Sequence, residues 1–265
     1  KESVFTPYDE KNMSKIYKNY NEKSLSYKIS VYSQNQKKIL IQSKIATRDQ
    51  VVVNGCPRSD YAFRLRKVKP KNKYIIFYLI EYERGTHKHY GIKINFNKLL
   101  NQTLDCLLDF AKKKNNINII LKGKTGIHKK KQFSSKFFPK NCTFIEGGAG
   151  EKLLKDAAIV IAFNSTIVFE TIASNRNLII PNFNSENVKK EQFVHKIKDK
   201  KYYANSKKQF NKKIIFYLNS KYKNEKITNA DKKTLKYYLG NPDGKSGERM
   251  IKFLKNSIIY NKWKY

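Results

Sequence analysis

A run of small polar residues directly behind a buried apolar segment is the part of this chain most suited to chemistry. In Ala162-Phe163-Asn164-Ser165-Thr166-Ile167-Val168-Phe169-Glu170 a strand ends and a helix starts at once. The first N–H groups of a helix lack intrahelical partners and carry partial positive charge, so they suit a phosphate. Ser165 and Thr166 add hydroxyl donors, and Asn164 lies beside them. Glu170 follows Thr166 by four residues and shares its helix face, where a carboxylate can accept from ribose hydroxyls. The same residues also fit a plain helix cap by Asn164 or Ser165, with Glu170 as a solvated charge. Glu170 is not at the capping-box position, which removes one bland explanation.

Two further segments have the right residue types. Glu146-Gly147-Gly148-Ala149-Gly150 follows a short apolar run, and glycines there let backbone approach a ligand closely. The segment matches neither a GxGxxG fingerprint nor a P-loop, and a plain turn accounts for it equally well. Lys122 stands at a strand end, and the basic loop after it contains His128. Its ammonium can reach a phosphate, or the segment is a basic surface loop. His87 and His89 have no evident third ligand, so no metal site and no cofactor are expected.

Positioning these residues requires regular elements. Tyr74–Leu79, Ile117–Leu121, Thr143–Ile145, Ala158–Phe163 and Leu178–Ile180 read as strands. Asn97–Lys114, with Leu100, Leu104, Leu107, Leu108 and Ala111 at helical spacing, reads as a helix. Glu151–Ala157 and Ser165–Ser174 are expected as shorter helices. This alternation predicts an α/β fold with a Rossmann-like parallel sheet flanked by helices. Such a sheet binds ligands beyond the carboxyl ends of its strands, where all three segments lie. Towards the N-terminus, Gln34–Ser43 is a candidate helix and Val51–Val53 a strand entering the Asn54-Gly55 turn. Beyond Pro181 the helices expected are Lys207–Leu218, Asp231–Tyr238 and about Lys245–Ile258, the last capped by Asp243.

The 265 residues carry a formal charge of +35 and are 40% hydrophobic, enough apolar content for an ordinary core. The longest fully apolar run, Ala157–Phe163, is strand length and far short of the ~18 residues of a membrane span. Cys56, Cys106 and Cys142 show neither a disulfide framework nor metal spacing and read as reduced thiols. The positive charge suits polyanions or an anionic leaflet. AT-rich codon bias towards Lys, Asn, Ile, Tyr and Phe produces the same composition. Arg is sparse, and Arg is the preferred reader of phosphate and base edges, so nucleic acid is disfavoured as a partner.

Val51-Val52-Val53-Asn54-Gly55-Cys56-Pro57-Arg58-Ser59-Asp60 resembles the "strand–x-G-x-P-R-x-D" junction of bacterial surface-carbohydrate biosynthesis proteins. These are GT-B-type enzymes that include Kdo transferases and relatives of CDP-glycerol glycerophosphotransferases. In that superfamily the junction, here Pro57, Arg58 and Asp60, closes an N-terminal lobe and leads into a C-terminal nucleotide lobe. Asn164-Ser165-Thr166 with Glu170 resembles the family's donor-gripping helix start. Lys122 and His128 resemble its strand-end Lys and His, though Gly123–Ile127 is longer than the usual gap. Asp243-Gly244-Lys245-Ser246-Gly247-Glu248-Arg249 resembles its "D-G-x-[AS]-x-x-R" segment. The four segments stand in the family's order over about residues 34–258.

The resemblance implies a metal-independent glycosyltransferase that moves a sugar from a nucleotide donor, with a CMP-sugar as first guess, to a surface glycan or glycolipid. Residues 1–67 would be the remnant of the N-terminal acceptor lobe with its linker, and 68–265 the C-terminal nucleotide-sugar lobe. Two full lobes need about 300 residues or more, so the resemblance implies an N-terminally truncated chain that binds nucleotide with little or no turnover. Lys122, His128, Gly147, Gly148, Asn164, Ser165, Thr166 and Glu170 would bind the donor. The expected location is cytoplasmic, with peripheral contact at the inner face of the membrane. A nucleic-acid-binding module and a sugar-nucleotide epimerase of the same superfamily are the alternatives.

Overall fold

The computed structural model describes residues 12, 15, 16, 18, 19, 23–71, 74–79, 96–124, 138–148, 150–183, 197, 199–219 and 227–261. The chain forms two compact units, one of residues 1–64 and 228–265, the other of residues 65–227. The last two helices group with the N-terminal segment and not with the large sheet.

The second unit is built on a six-stranded sheet of β3 (Tyr74–Tyr78), β4 (Ile119–Gly123), β5 (Cys142–Glu146), β6 (Ala157–Ile161), β7 (Asn177–Pro181) and β8 (Tyr203–Ala204). Their order is β5-β4-β3-β6-β7-β8, and every neighbouring pair is parallel. This is the doubly wound order in which the chain leaves the sheet's first strand on one side and returns on the other. All five residues of β6 are buried, as a central strand covered on both faces requires. That is why it reads as a continuous apolar run and not as an alternation. Helix α3 (Phe96–Lys113) buries Leu99, Leu100, Leu104, Leu107, Leu108 and Ala111. Helix α4 (Ile167–Ala173) is buried along its whole length. Helix α5 (Lys207–Asn219) buries Phe210, Ile214 and Tyr217. The α/β class with a parallel sheet flanked by helices is therefore the one expected. The stretch expected as a helix from Glu151 is a 3-10 segment, Gly150–Lys155. The two-residue β8 was missed because it is too short to show a period.

The first unit holds a parallel pair, β1 (Ile29–Val31) and β2 (Val51–Val53), joined through α1 (Gln34–Gln42). Val31, Ala46 and Val51 form its small core, with Ile29, Leu40, Ile45 and Val53 packed around them. Helix α1 begins in a reciprocal cap: Gln36 N–H donates to Ser33 Oγ at 3.4 Å, and Tyr32 N–H donates to Gln36 Oε1 at 2.7 Å. A short 3-10 turn (Pro57–Ser59) leads into α2 (Asp60–Arg64). Helix α6 (Asn229–Leu239) has its own capping box between Thr228 and Asp231, and α7 spans Ser246–Asn261. Among the described residues no helix is long and apolar enough to cross a membrane.

Candidate functional site

In the second unit the topological reversal falls between β3 and β6, so the crevice beyond their carboxyl ends is where a ligand belongs. The residues at those ends come from β3, β4, the loop after β5, and the β6–α4 connection. Tyr78 closes β3 and lies in register with Lys122 of β4. Both are buried. The Lys122 ammonium donates to Gly123 O at 2.7 Å and to Gly147 O across the β4–β5 gap. It therefore does not project freely into solvent as a strand-end cation. Burial lowers its pKa from the ordinary lysine value, and the Glu151 carboxylate works against that shift.

The glycine segment is held at several points. Gly147 N–H donates to Gly123 O at 3.2 Å. Gly147 and Gly148 have φ of +65° and +72°, a region that glycine enters without steric penalty. The Tyr78 hydroxyl donates to Gly150 O at 2.6 Å. A Cβ at Gly150 would come within 3.1 Å of the Tyr78 ring, whereas one at Gly148 would meet nothing within 4 Å. Backbone at Gly148 thus faces open space.

On the other side of the reversal, Asn164 takes a positive φ of +49°, tolerable for an asparagine, and turns the chain from β6 into α4. The helix begins at Ile167, two residues later than expected, and Thr166 in the cap position makes no side-chain cap bond. Val168 N–H donates to Ser165 O at 3.2 Å and Phe169 N–H to Thr166 O at 3.0 Å. The first turn is therefore closed on itself, and any donors offered to a phosphate come from residues before Val168. Glu170 is only 4% exposed, which corrects the expectation of a partly solvated carboxylate: α4 is buried on every face. Its far end is held by the Arg66 guanidinium, which donates from Nε to Ala173 O at 2.6 Å. Just past that end, buried Arg176 donates to the carbonyls of Val68, Leu154 and Lys155 at 2.8–3.0 Å. Burial first, then the charges of Glu170, Tyr74 and Glu151, raises the Tyr78 hydroxyl pKa well above the ordinary tyrosine value.

The structure places Lys122, Gly147, Gly148, Asn164, Ser165 and Thr166 at or just beyond the carboxyl ends of one sheet, and Glu170 in the α4 helix that follows. His128 lies outside the described residues. Tyr78, which donates to Gly150 O, was not singled out from sequence, whereas Gly150 and Glu151 belong to the glycine-rich stretch that was. Only the register of β3 with β4 reveals that Tyr78 is the counterpart of Lys122. Among the described residues no group of three or more His, Cys, Asp or Glu could hold a metal ion.

Pro57, Arg58 and Asp60 belong to the first unit, where the junction segment and the C-terminal Asp243–Arg249 segment turn out to be partners. Asp60 accepts from Ser246 N–H at 3.1 Å and Gly247 N–H at 2.7 Å, so it caps α7. Asp243 instead accepts from Lys245 N–H at 3.0 Å and forms a bidentate pair with Arg249. Arg249 Nε also donates to Asn54 O at 2.9 Å. Gly240 must be glycine, because a Cβ there would overlap Tyr32 O. Pro57 opens the 3-10 turn and Arg58 is exposed on it.

No family model matches the chain, and no curated protein matches it. Solved structures do. Three structures of the wall teichoic acid polymerase TagF align with TM-scores of 0.55, 0.54 and 0.52. In each the identity is 12%, and 98%, 99% and 95% of this chain is covered. The chain spans 61–63% of the length of those TagF chains. At that identity the likeness is one of fold alone, a parallel-sheet α/β architecture.

Proposed function

We propose that the chain is the donor-binding part of a GT-B-type glycosyltransferase that takes a nucleotide-activated donor. The observation that supports the reading is the set of strand ends beside the β3/β6 reversal, where Lys122 stands at the end of β4, Gly147 and Gly148 follow β5, and Asn164–Thr166 follow β6. In this reading the donor phosphate meets the Ser165 and Thr166 hydroxyls and the backbone that precedes Val168. Glu170 accepts from the ribose. Gly147 and Gly148 form a wall of bare backbone. Lys122, with two of its three N–H donors engaged on carbonyls, acts on the donor mainly through the backbone that it holds. His128 is retained as a donor ligand. Such fixed donors aimed at a leaving phosphate stabilise the charge that develops as the bond to the transferred group breaks. No metal takes part in this reading, so chelator should leave nucleotide binding unchanged.

A cytidine nucleotide remains the first donor to try, as a CMP-sugar or a CDP-linked group. Two of the TagF structures are of the protein soaked with CDPG. The acceptor is a surface glycan or glycolipid, reached at the inner face of the cytoplasmic membrane. The test is calorimetric titration of CMP, CDP, UDP and GDP against the chain, with Glu170→Gln alongside. Saturable binding of one nucleotide is expected. The variant should weaken that nucleotide and the parent nucleoside alike by about tenfold or more, the equivalent of a hydrogen bond to a charged group at roughly 1.5–3 kcal/mol. Binding to none of the four sinks the reading, as does a variant that melts lower and binds equally well. Because the charge of +35 also suits polyanions, the same preparation is titrated with DNA and RNA. Steeply salt-dependent binding without nucleotide binding would favour a nucleic-acid module.

A further inference from the structure

The two side chains that end β3 and β4 hold opposite ends of one glycine segment. Tyr78 and Lys122 are paired in register on adjacent parallel strands. Lys122 takes the carbonyl of Gly147, at the start of the segment, together with that of Gly123. Tyr78 takes the carbonyl of Gly150 at 2.6 Å, at its end. Both side chains are buried, at 7% and 8% exposure, so water does not readily substitute for either bond. Gly147 and Gly148 are both left-handed, a conformation that costs glycine backbone more entropy than any other residue would lose. A pair of glycines with left-handed φ does not hold one shape unaided.

We infer that Tyr78 and Lys122 are positioning residues for the candidate donor site. They hold the carbonyls of Gly147 and Gly150, so that the bare backbone of Gly147 and Gly148 forms a preset wall beside the β3/β6 crevice. The inference rests on the donor-site reading for what the wall serves, but not for its existence. It assigns Lys122 a role different from that of a phosphate-gripping strand-end lysine. Its ammonium is turned into the protein, and its main effect on a ligand passes through the loop. The open space beside Gly148 is where a ligand would lie against the chain. Pre-shaping that backbone lowers the ordering cost of binding.

The experiment has two arms on the full 265-residue chain, with Tyr78→Phe, Lys122→Met and the double variant. The first arm needs no ligand. Amide hydrogen exchange is followed at Gly148, Gly150 and Glu151, with Ile159, Val160 and Ile161 of β6 as internal reference. Each single variant should speed exchange in the loop by about tenfold and leave β6 unchanged. Unchanged loop exchange, or equal acceleration of β6, would overturn the inference. The second arm titrates CDP and cytidine. If Lys122 acts through the loop, Lys122→Met weakens both probes by the same factor. The double variant then loses little more than the worse single variant, since both changes release one segment. A much larger loss for CDP than for cytidine would restore Lys122 as a direct phosphate ligand and refute this role. If the unaltered chain binds neither probe, the donor reading falls and the exchange arm alone decides whether the pair positions the loop.

Discussion

Replacing Asp60 by Asn should weaken the first unit far more than an ordinary surface cap change. The carboxylate accepts two backbone N–H groups at the start of α7, Ser246 at 3.1 Å and Gly247 at 2.7 Å, and the residue is only 7% exposed. Asn has one acceptor oxygen, so one N–H keeps its bond and the other faces an NH2 group. The lost charged hydrogen bond costs about 1.5–3 kcal/mol. Removing a negative charge from a helix N-terminus adds roughly 0.3–1 kcal/mol. A solvent-exposed cap costs about 0.5–2 kcal/mol because water partly replaces it, and burial denies that relief here. The total is about 2–4 kcal/mol. At roughly 2–4 °C per kcal/mol for a chain of this size, the melting temperature should fall by roughly 4–16 °C. Calorimetry or thermal circular dichroism reads the shift, and hydrogen exchange at Ser246 and Gly247 locates it. A variant that melts within 1 °C of the parent, with unchanged exchange at those two amides, would show that Asp60 is not the cap and that its contacts carry no stability.

Arg176→Lys should destabilise the second unit by about 2–3 kcal/mol, because one ammonium cannot reproduce three guanidinium contacts to the carbonyls of Val68, Leu154 and Lys155; urea denaturation measures it, and a change below 0.5 kcal/mol would contradict the geometry. The hydrogen bond from Arg249, and then its charge and the backbone donors, hold the Asp243 carboxyl below the ordinary aspartate value. Its folded pKa is thus lower than its unfolded one, so its stabilisation is complete above about pH 4 and is lost as pH falls through the folded value; the urea midpoint of the parent should exceed that of Asp243→Asn near neutrality and converge with it in acid. If the positive charge serves membrane attachment, binding to vesicles of anionic lipid should exceed binding to neutral ones and fall with salt; equal binding to both would leave composition bias as the account of the charge.

Sequence alone was enough for the parallel α/β core. The alternation of short apolar runs with the Leu100–Ala111 periodicity admits few other packings, and β6 announces its burial on both faces by having no polar residue. The rule that ligands sit beyond strand carboxyl ends points from sequence to Lys122, Gly147, Gly148 and Asn164–Thr166, and the structure places these residues at or just beyond such ends. What tertiary structure alone decided is which side chains face which groups. Lys122 looks like a free strand-end cation in sequence, yet its ammonium is turned onto Gly123 and Gly147. Glu170 looks like a solvated charge four residues into a helix, yet α4 is covered on every side. Tyr78 carries no motif, and only strand register sets it beside Lys122. Asp60 and Ser246 are far apart in the chain, and a cap formed across that distance leaves no local periodicity to read. Local propensity is written within a few residues of sequence, whereas register, burial of a whole helix and long-range capping depend on contacts that exist only once the chain has closed on itself.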